Sequence, residues 1–482
     1  MNLREELNQL AAEKILILDG AMGSLIQAEH LSERDFRGKR FADHGKPLLG
    51  CSEVLCLTRP DLISGIHEAY LEAGADIIET CSLNATSICL DYYGLKNFAR
   101  EISAASAAIA KKAADKFSDS NKRRFVAGSI GPTEKSATFT PDMDRPLDRQ
   151  ITWDELAASY YDNALGLIEG GADILLIETA YDSLNIKAAL FAILRLGRDL
   201  GRDIPVMVSA TVTENGRLLT GQTPEAFCVS MIHANPWALG LNCSHGAEKL
   251  KAPLSHLAAL APCPVCFYPN AGLPDFRGNY SDTPETMAAS VESCIKEGLV
   301  NIVGGCCGST PAHIAAIAQM AGNYRPREIS RSGNKRFFAG TEILELENET
   351  CLSEIKNKIR EPWQNAMDSG DYEEAMEIAR RYISKEHKIG SNESGFLEIS
   401  SDRAPDPVNT LRGFLFLAAS YPDLAAFPVL VESDNWDIIK EGLKCFQGRG
   451  LVRYTGTLHG KDELQNKSGE ILSYGAVLII HY

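Results

Sequence analysis

Several features that would assign this chain to a class of protein are absent from its sequence. Basic residues do not predominate, since 48 Lys and Arg stand against 64 Asp and Glu, a formal charge of −16. This balance disfavours nonspecific binding to nucleic acid or anionic membranes. The first residues contain no apolar signal core, and no stretch reaches the roughly 18 to 20 apolar residues that span a bilayer. We therefore expect a cytoplasmic protein with no nucleic-acid or membrane partner.

Nucleotide-binding signatures are absent as well. No G-x-G-x-x-G motif connects a predicted strand to a helix, and no glycine-rich loop carries a Walker lysine. Cysteine, in contrast, is plentiful, with thirteen in 482 residues. In a reducing compartment we expect these to be free thiols, metal ligands or small core residues and not a disulfide framework.

Short apolar segments, each followed by a helix-like segment, recur eight times in residues 1–325. Eight such alternations predict an α/β fold, a closed parallel (β/α)8 TIM barrel, because each parallel strand needs a crossover helix. An open doubly wound sheet is the competing interpretation, which the strand count does not exclude. The predicted strands are Ile15–Leu18, Asp76–Glu79, Phe125–Ser129, Ile174–Glu178, Val206–Thr211, Ala238–Asn242, Val265–Tyr268 and Asn301–Gly304.

The pattern breaks into a polar, basic stretch that predicts a linker at 326–341. Residues 342–482 then resume the alternation with a predicted helix over Trp363–Ser384 and four strands, which amounts to half a barrel. A sheet of four strands leaves edges with unpaired backbone groups. We expect these to be covered by packing on the first barrel or by self-association, which makes a homo-oligomer one expectation. The four strands are Phe396–Ile399, Pro428–Val431, Leu451–Tyr454 and Ala476–Ile480.

Two adjacent cysteines, Cys306 and Cys307, follow the eighth predicted strand in the sequence GGCCG. Neighbouring cysteines have poor geometry for a mutual disulfide, so they are structural thiols or share a soft metal. In a barrel, Cys243 at the end of strand six lies on the same face. Three thiolates with one exchangeable position suit zinc. His245 is a candidate fourth ligand or a histidine of the rim.

Polar residues also end other predicted strands. Asp19, Glu79 and Glu178 follow strands one, two and four, and Asn270 follows strand seven. Carboxylates at strand ends could bind an ammonium group, while the glycine-flanked turn Gly20–Gly23 exposes N–H groups suited to a carboxylate. Together they describe an amino-acid-shaped site beside a metal. In the alternative interpretation, Asp19 belongs to a simple turn and the glutamates lie on a solvated rim.

Residues 1–325 resemble the homocysteine-binding domain of cobalamin-dependent methionine synthase. The resemblance implies that Cys243, Cys306 and Cys307 hold zinc, with Asn270 near the open position. It also implies that Asp19, Glu178 and the Ala21-Met22 backbone bind the amino-acid end of homocysteine. The matching stretches are LDGAMG at 18–23, ADIIET at 75–80, NAT at 84–86, GSIGPT at 128–133, LIET at 176–179, GLNC at 240–243, PNAGLP at 269–274 and GGCCG at 304–308.

Residues 342–482 resemble the beginning of the folate-binding barrel of the same enzyme, mainly through 436–448. The sequence departs from that family at two strand ends. It has Glu398-Ile399-Ser400 where the family usually has Asp-x-Asn, and Glu432-Ser433-Asp434 where the family has Asp-Ser-Ser. The second half of that barrel and the cobalamin-binding loop Asp-x-His-x-x-Gly have no counterpart in these 482 residues. Whether this region binds folate or another ligand stays open.

The resemblance implies transfer of a methyl group to homocysteine to give methionine. The donor would be a methylcorrinoid, with methylcobalamin carried by a separate protein. Two alternatives remain: a methyltransferase that uses S-methylmethionine or S-adenosylmethionine, and a homocysteine-binding regulator or scaffold without catalytic activity.

Overall fold

The computed structural model describes residues 2–120, 122–142, 145, 147–329, 335–347, 361–386 and 395–480. The strands are β1 (Leu16–Ile17), β2 (Ile77–Glu79), β3 (Phe125–Ile130), β4 (Ile174–Ala180), β5 (Val206–Ala210), β6 (Ala238–Asn242), β7 (Val265–Tyr268), β8 (Ile302–Val303), β9 (Lys335–Ala339), β10 (Ile343–Glu347), β11 (Leu397–Ile399), β12 (Val429–Ser433), β13 (Gly450–Tyr454) and β14 (Ala476–Ile480).

The helices of the first 321 residues are α1 (Leu3–Glu13), α2 (Met22–Ala28), α3 (Glu33–Arg37), α4 (Leu55–Thr58), α5 (Pro60–Glu72), α6 (Ser87–Tyr92), α7 (Ala99–Lys116), α8 (Trp153–Glu169), α9 (Ser183–Leu200), α10 (Pro224–Met231), α11 (Ala247–Leu260), α12 (Pro284–Lys296) and α13 (Pro311–Ala321). Those that follow are α14 (Glu361–Ser369), α15 (Tyr372–Glu386), α16 (Pro407–Ala418), α17 (Pro422–Ala425), α18 (Trp436–Leu443) and α19 (Lys461–Ser473).

Strands β1 to β8 form a closed parallel barrel. Their order is β1-β8-β7-β6-β5-β4-β3-β2, and a parallel bridge between Leu18 and Ile77 joins the two ends. The Asp76 N–H donates to the Ile17 carbonyl at 2.7 Å across the same seam. This closure confirms the predicted (β/α)8 barrel and excludes the open doubly wound sheet.

The two faces of each barrel strand are both apolar but contact different partners. Residues such as Ile77, Leu176 and Met207 pack inside the barrel, whereas Ile78 and Leu175 pack against the surrounding helices. This double burial is the reason that the strands read as continuous apolar runs. Helix α1 places its buried residues Leu7 and Ala11 in the interior cluster, so it closes the end of the barrel where the strands begin.

Strands β11 to β14 form a second parallel sheet that stays open, in the order β11-β12-β13-β14. One face packs on its helices, and the other is covered by the antiparallel hairpin β9–β10. Phe338 and Leu344 of the hairpin share a cluster with Leu430 and Leu451 of the sheet. The inner face of the half-barrel is therefore filled by the same chain.

The prediction of a single helix over Trp363–Ser384 is wrong. Helix α14 ends before Gly370, which adopts a positive φ of 77°, and the Asp371 side chain accepts the Glu374 N–H at 3.1 Å to begin α15. A left-handed glycine followed by a capping aspartate ends one helix and starts the next. Residues 330–334 of the predicted linker lie outside the described residues, and the domain boundaries stay a prediction.

The second region packs against the side of the barrel formed by α8, α9 and α10. The buried Lys187 of α9 donates to the carbonyls of Phe446 and Gly448, both at 2.9 Å, and Gln222 donates to the Gly340 carbonyl at 2.7 Å. These bonds satisfy groups that would otherwise be buried without partners. Among the described residues, no helix is both long and apolar enough to cross a membrane.

Candidate active site

The interior of the barrel changes from apolar to polar at the carboxyl ends of its strands. In β2 the inward Ile77 is followed two residues later by Glu79, and in β4 Leu176 is followed by Glu178. Because side chains alternate along a strand, residues two apart face the same side. The same step leads to the further polar residues of this layer, which are Ser129, Ser209, Asn242 and Tyr268.

Three cysteine sulfurs meet at this end of the barrel. The Sγ atoms of Cys243, Cys306 and Cys307 all lie within 4.8 Å of one another, and those of Cys243 and Cys307 are 3.8 Å apart. Two ligands of a tetrahedral zinc ion at a Zn–S distance of about 2.3 Å would be separated by roughly 3.8 Å. The spacing of these sulfurs therefore fits a metal of that size. The group does not include His245.

The backbone at the end of β6 is strained in order to present Cys243. Cys243 and Ser244 both have φ of 59°, a left-handed conformation that side chains other than glycine rarely adopt. Asn242 braces this turn from inside the barrel. Its Oδ1 accepts the Thr179 N–H at 3.0 Å, and its Nδ2 donates to the Cys306 sulfur at 3.8 Å.

The sulfurs also share their protons unequally. Hydrogen bonds from Cys243 and Cys306 lower the pKa of Cys307, whereas the bond with Cys243 is the main cause of the raised pKa of Cys306. Cys307 is therefore the sulfur of the cluster that most readily forms a thiolate, and thiolate is the form that binds zinc.

Three buried carboxyl groups, those of Asp19, Glu79 and Glu178, lie at the same end of the barrel. Burial raises the pKa of Asp19 and Glu79 well above their ordinary values and that of Glu178 to about 7. Glu178 accepts a hydrogen bond from Ser129, and Asp19 accepts the Glu79 N–H at 3.0 Å. Among the described residues, the other carboxylate oxygen of Asp19 and the Oε1 of Glu79 have no partner. Acceptors left in this way suit an ammonium group.

The turn after β1 lies directly against the turn after β8. The Ala21 N–H donates to Ser309 Oγ at 3.1 Å, and the Tyr70 hydroxyl donates to the Ala21 carbonyl at 3.1 Å. A Cβ at Gly20 would approach Ser309 Oγ to 2.7 Å, so only glycine fits there. Met22 is the first residue of α2, and no side chain caps the start of this helix.

A family model described as homocysteine S-methyltransferase matches residues 16–321. The chain belongs to this family. Two solved structures of the homocysteine methyltransferase MmuM from Escherichia coli are also similar to it. The oxidized form has 24% identity and a TM-score of 0.51, covering 66% of this chain and 99% of that one. The metallated form has 25% identity and the same TM-score and coverage. The chain is a methyltransferase enzyme.

The fold of this methyltransferase brings together most of the residues that the sequence singled out. The three cysteines come together, and three carboxyl groups lie beside them. The cysteines are Cys243, Cys306 and Cys307, and the carboxyl groups belong to Asp19, Glu79 and Glu178. Asn270 is buried, and its Oδ1 has no partner among the described residues. The roles of all these residues in catalysis and binding stay predictions.

Sequence reasoning missed the residues that hold the site in place. Asn242, Ser129, Ser309, Tyr70 and Tyr280 were not among the predicted site residues. Tyr280 packs against Gly308, where a Cβ would meet its ring at 2.1 Å. For Asn242 and Ser129 a signal was present, since each lies two residues after an inward position of its strand.

Proposed function

We propose that this enzyme is a zinc-dependent homocysteine S-methyltransferase of the methionine synthase type. It transfers a methyl group from a methylcorrinoid, carried by a separate protein, to homocysteine and produces methionine. The observation that carries the proposal is the convergence of three sulfurs from two distant segments beside three buried carboxyl groups.

Cys243, Cys306 and Cys307 would hold the metal. The 3.8 Å separation of two sulfurs and the lowered pKa of Cys307 both fit zinc. A zinc ion held by three thiolates would supply a Lewis acid that favours the deprotonated form of an incoming thiol. The strained turn orients the sulfur of Cys243, and the hydrogen bond from Asn242 orients the sulfur of Cys306.

The carboxyl groups would bind the amino-acid end of homocysteine. Asp19 and Glu79 offer the free acceptors, and Glu178, held by Ser129, completes a pocket that matches one ammonium group. The Met22 N–H at the start of α2 would receive the substrate carboxylate, and Asn270 would face the sulfur. These contacts would orient homocysteine with its sulfur towards Cys243, Cys306 and Cys307, and a methylated corrinoid would supply the methyl group that this sulfur receives.

Exposed apolar residues at the rim of the barrel support the proposal that a separate protein delivers the methyl donor. Of nine large apolar residues that are exposed among the described residues, six lie in connections that follow the carboxyl ends of barrel strands. Phe276, at 92% exposed, is the extreme case. Leu273 and Phe276 lie in one connection, between β7 and α12, and exposed apolar residues at one site are candidates for contact with a protein partner. The six are Leu49, Tyr92, Leu147, Leu219, Leu273 and Phe276.

The test is a comparison of methyl donors with zinc-loaded protein and homocysteine. We expect methionine with a methylated corrinoid protein and, more slowly, with free methylcobalamin. If methionine forms only with S-methylmethionine or S-adenosylmethionine, the methylcorrinoid is the wrong donor and that compound takes its place. Tight homocysteine binding without turnover by any donor would assign the chain to regulation or scaffolding.

Phe276→Ser separates a protein-borne donor from a free one. We expect it to slow transfer from the corrinoid protein several-fold and to leave the rate with free methylcobalamin unchanged, since a central interface aromatic contributes roughly 1 to 2 kcal/mol. Leu472→Ser, an exposed apolar residue of α19, is the control and should affect neither rate.

A further inference from the structure

Tyr268 is a buried tyrosine of the barrel interior that lies next to the three carboxyl groups of the site. It is the last residue of β7 and is 1% exposed. Its ring belongs to the interior cluster that includes Leu176 and Met207. In the register of the barrel it pairs with Asn242 of β6, which places it in the polar layer where the strands end. The apolar ring is therefore buried among apolar side chains at the edge of the site.

The hydroxyl group of Tyr268 lies beside two of the carboxyl groups. Burial is the main cause of its raised pKa, followed by the charges of Glu178 and Glu79. Tyr268 in turn is one of the side chains that oppose the rise in the pKa of Glu178. Because its own pKa is well above the ordinary value, the hydroxyl keeps its proton at neutral pH. It is therefore a hydrogen-bond donor that faces Glu178 and Glu79.

This donor has no acceptor within the part of the chain that the structure describes. No described atom meets the geometry of a hydrogen bond to the Tyr268 hydroxyl, although buried tyrosine hydroxyls usually have a partner. Glu178 already accepts a hydrogen bond from Ser129. A protonated carboxyl group gains less from a second donor than an ionised one does. The unused hydroxyl thus suits a site in which Glu178 is ionised.

An ammonium group would create that condition. Burial raises the pKa of Glu178 to about 7, so this carboxyl group is only partly ionised at neutral pH. A cation close to it favours the ionised form, and so does every hydrogen bond donated to that form. A donor beside Glu178 therefore strengthens the binding of an ammonium group without contacting it.

We propose that Tyr268 is a positioning residue for homocysteine, because its hydroxyl would donate to the ionised carboxylate of Glu178 as the substrate ammonium group binds. The inference rests on the proposed function, in which Glu178 faces that ammonium group. Hydrogen bonds of this kind are often long in the free protein and tighten only in the complex. The hydroxyl has no part in the methyl transfer itself, so it determines substrate affinity and not the rate at saturation.

Tyr268→Phe removes this hydroxyl and keeps the ring. We expect the Kd for homocysteine, measured by calorimetry on zinc-loaded protein, to rise at least about tenfold, as for the loss of a hydrogen bond to a charged group. KM should rise in parallel while kcat stays unchanged. The unfolding temperature without homocysteine should not fall, since the lost hydroxyl has no described partner. A hydroxyl with only a structural role would lower the unfolding temperature and leave the Kd unchanged.

γ-Mercaptobutyrate, which is homocysteine without its amino group, tests whether the hydroxyl acts through the ammonium group. We expect the wild type and Tyr268→Phe to bind this analogue with equal affinity, because no ammonium group then favours the ionised form of Glu178. An equal loss of affinity for homocysteine and for the analogue would overturn the proposal. So would equal affinity of the two proteins for homocysteine.

Tyr160→Phe is the matched control, because Tyr160 is 3% exposed and packs in α8 outside the barrel interior. It should leave the affinity for homocysteine unchanged. If the wild type binds homocysteine without turnover by any donor, methyl transfer is excluded, whereas the affinities still decide the role of Tyr268. Absence of homocysteine binding by the wild type would overturn both proposals.

Discussion

The two parallel sheets of this protein bury their inner faces in different ways. The eight-stranded sheet closes on itself and keeps a polar opening where its strands end, with carboxyl groups and thiols at inward positions. The four-stranded sheet stays open, and its inner face is covered by the hairpin β9–β10. A closed barrel has no free edge and can leave its mouth for chemistry. An open sheet needs its inner face for packing.

The strand ends of the second sheet show this difference in charge. Arg453 of β13 lies 2.7 Å from Glu398 of β11 and 2.6 Å from Glu432 of β12. In the barrel, the carboxyl groups at equivalent strand ends form no ion pair with a residue that the structure describes, and their pKa values are raised. Paired charges are typical of structure, while raised pKa values in a cleft indicate a functional site. We infer that the barrel alone carries the methyl transfer.

The largest expected effect comes from Cys306→Ser. Loss of one sulfur should abolish metal binding and reduce methyl transfer by more than the roughly 100-fold that loss of an outer-shell partner costs. Metal analysis of the purified variant and a homocysteine methylation assay measure the two effects. Cys263→Ser is the control, since Cys263 is free and lies outside the cluster. Stoichiometric metal in the Cys306 variant would contradict the assignment.

Phe338→Ala tests how the open sheet is held together. Phe338 is 2% exposed and fills the inner face of that sheet, so we expect a loss of about 4 kcal/mol in unfolding free energy. Phe337, its neighbour on the hairpin, packs towards α10 of the barrel and is only partly buried. Phe337→Ala should therefore cost less in urea denaturation. Equal losses of unfolding free energy in the two variants would show that packing on the open sheet contributes no more to stability than packing on α10.

Much of this fold could be predicted because its strands are buried on both faces. The predicted strand Val265–Tyr268 agrees with β7, and Ile174–Glu178 ends two residues before β4 does. The hairpin could not be predicted in the same way. Its strand β10 alternates apolar and acidic residues over only four positions, 344–347, which is too short a pattern to separate from a loop.

The site was predictable to the extent that it follows from topology. Placing Cys243 with Cys306 needs only the knowledge that parallel strands end on one face. The bond from Ala21 to Ser309 joins residues 288 apart, and the one from Asn242 to Cys306 depends on the register between strands. Such contacts are set by the stagger of the closed barrel, which no single segment of sequence contains.

Arg453→Met tests whether the ion pairs at the strand ends of the open sheet have only a structural role. It would leave the partly buried Glu398 and Glu432 without their shared cation, and we expect a loss of about 3 kcal/mol in stability. Methyl transfer per folded molecule should not change. The measurement is chemical denaturation together with kcat, and Glu432→Gln is a milder companion because Glu432 is the more exposed carboxylate. A specific loss of kcat would bring the second region into the reaction.

Glu178→Gln should change stability in the opposite direction, because it should stabilise the folded protein. Burial raises the pKa of Glu178 from 4.5 to about 7, so between these values the folded protein keeps a proton that the unfolded chain has lost. The unfolded state binds fewer protons there, and stability falls as pH rises through this window.

Glutamine removes that penalty. In metal-free protein the variant should be more stable than the wild type by about 3 kcal/mol at pH 8, because one pKa unit corresponds to about 1.4 kcal/mol, and the difference should disappear below pH 4.5, the ordinary pKa of the group. Homocysteine affinity should fall, since the variant retains the shape of the pocket but loses a charge for the ammonium group. Thermal unfolding at several pH values and a binding titration measure both. If the stability difference between variant and wild type were the same at every pH, the pKa of Glu178 would not be raised by folding. Glu178 would then be ionised at neutral pH, as expected for the paired glutamates of the open sheet.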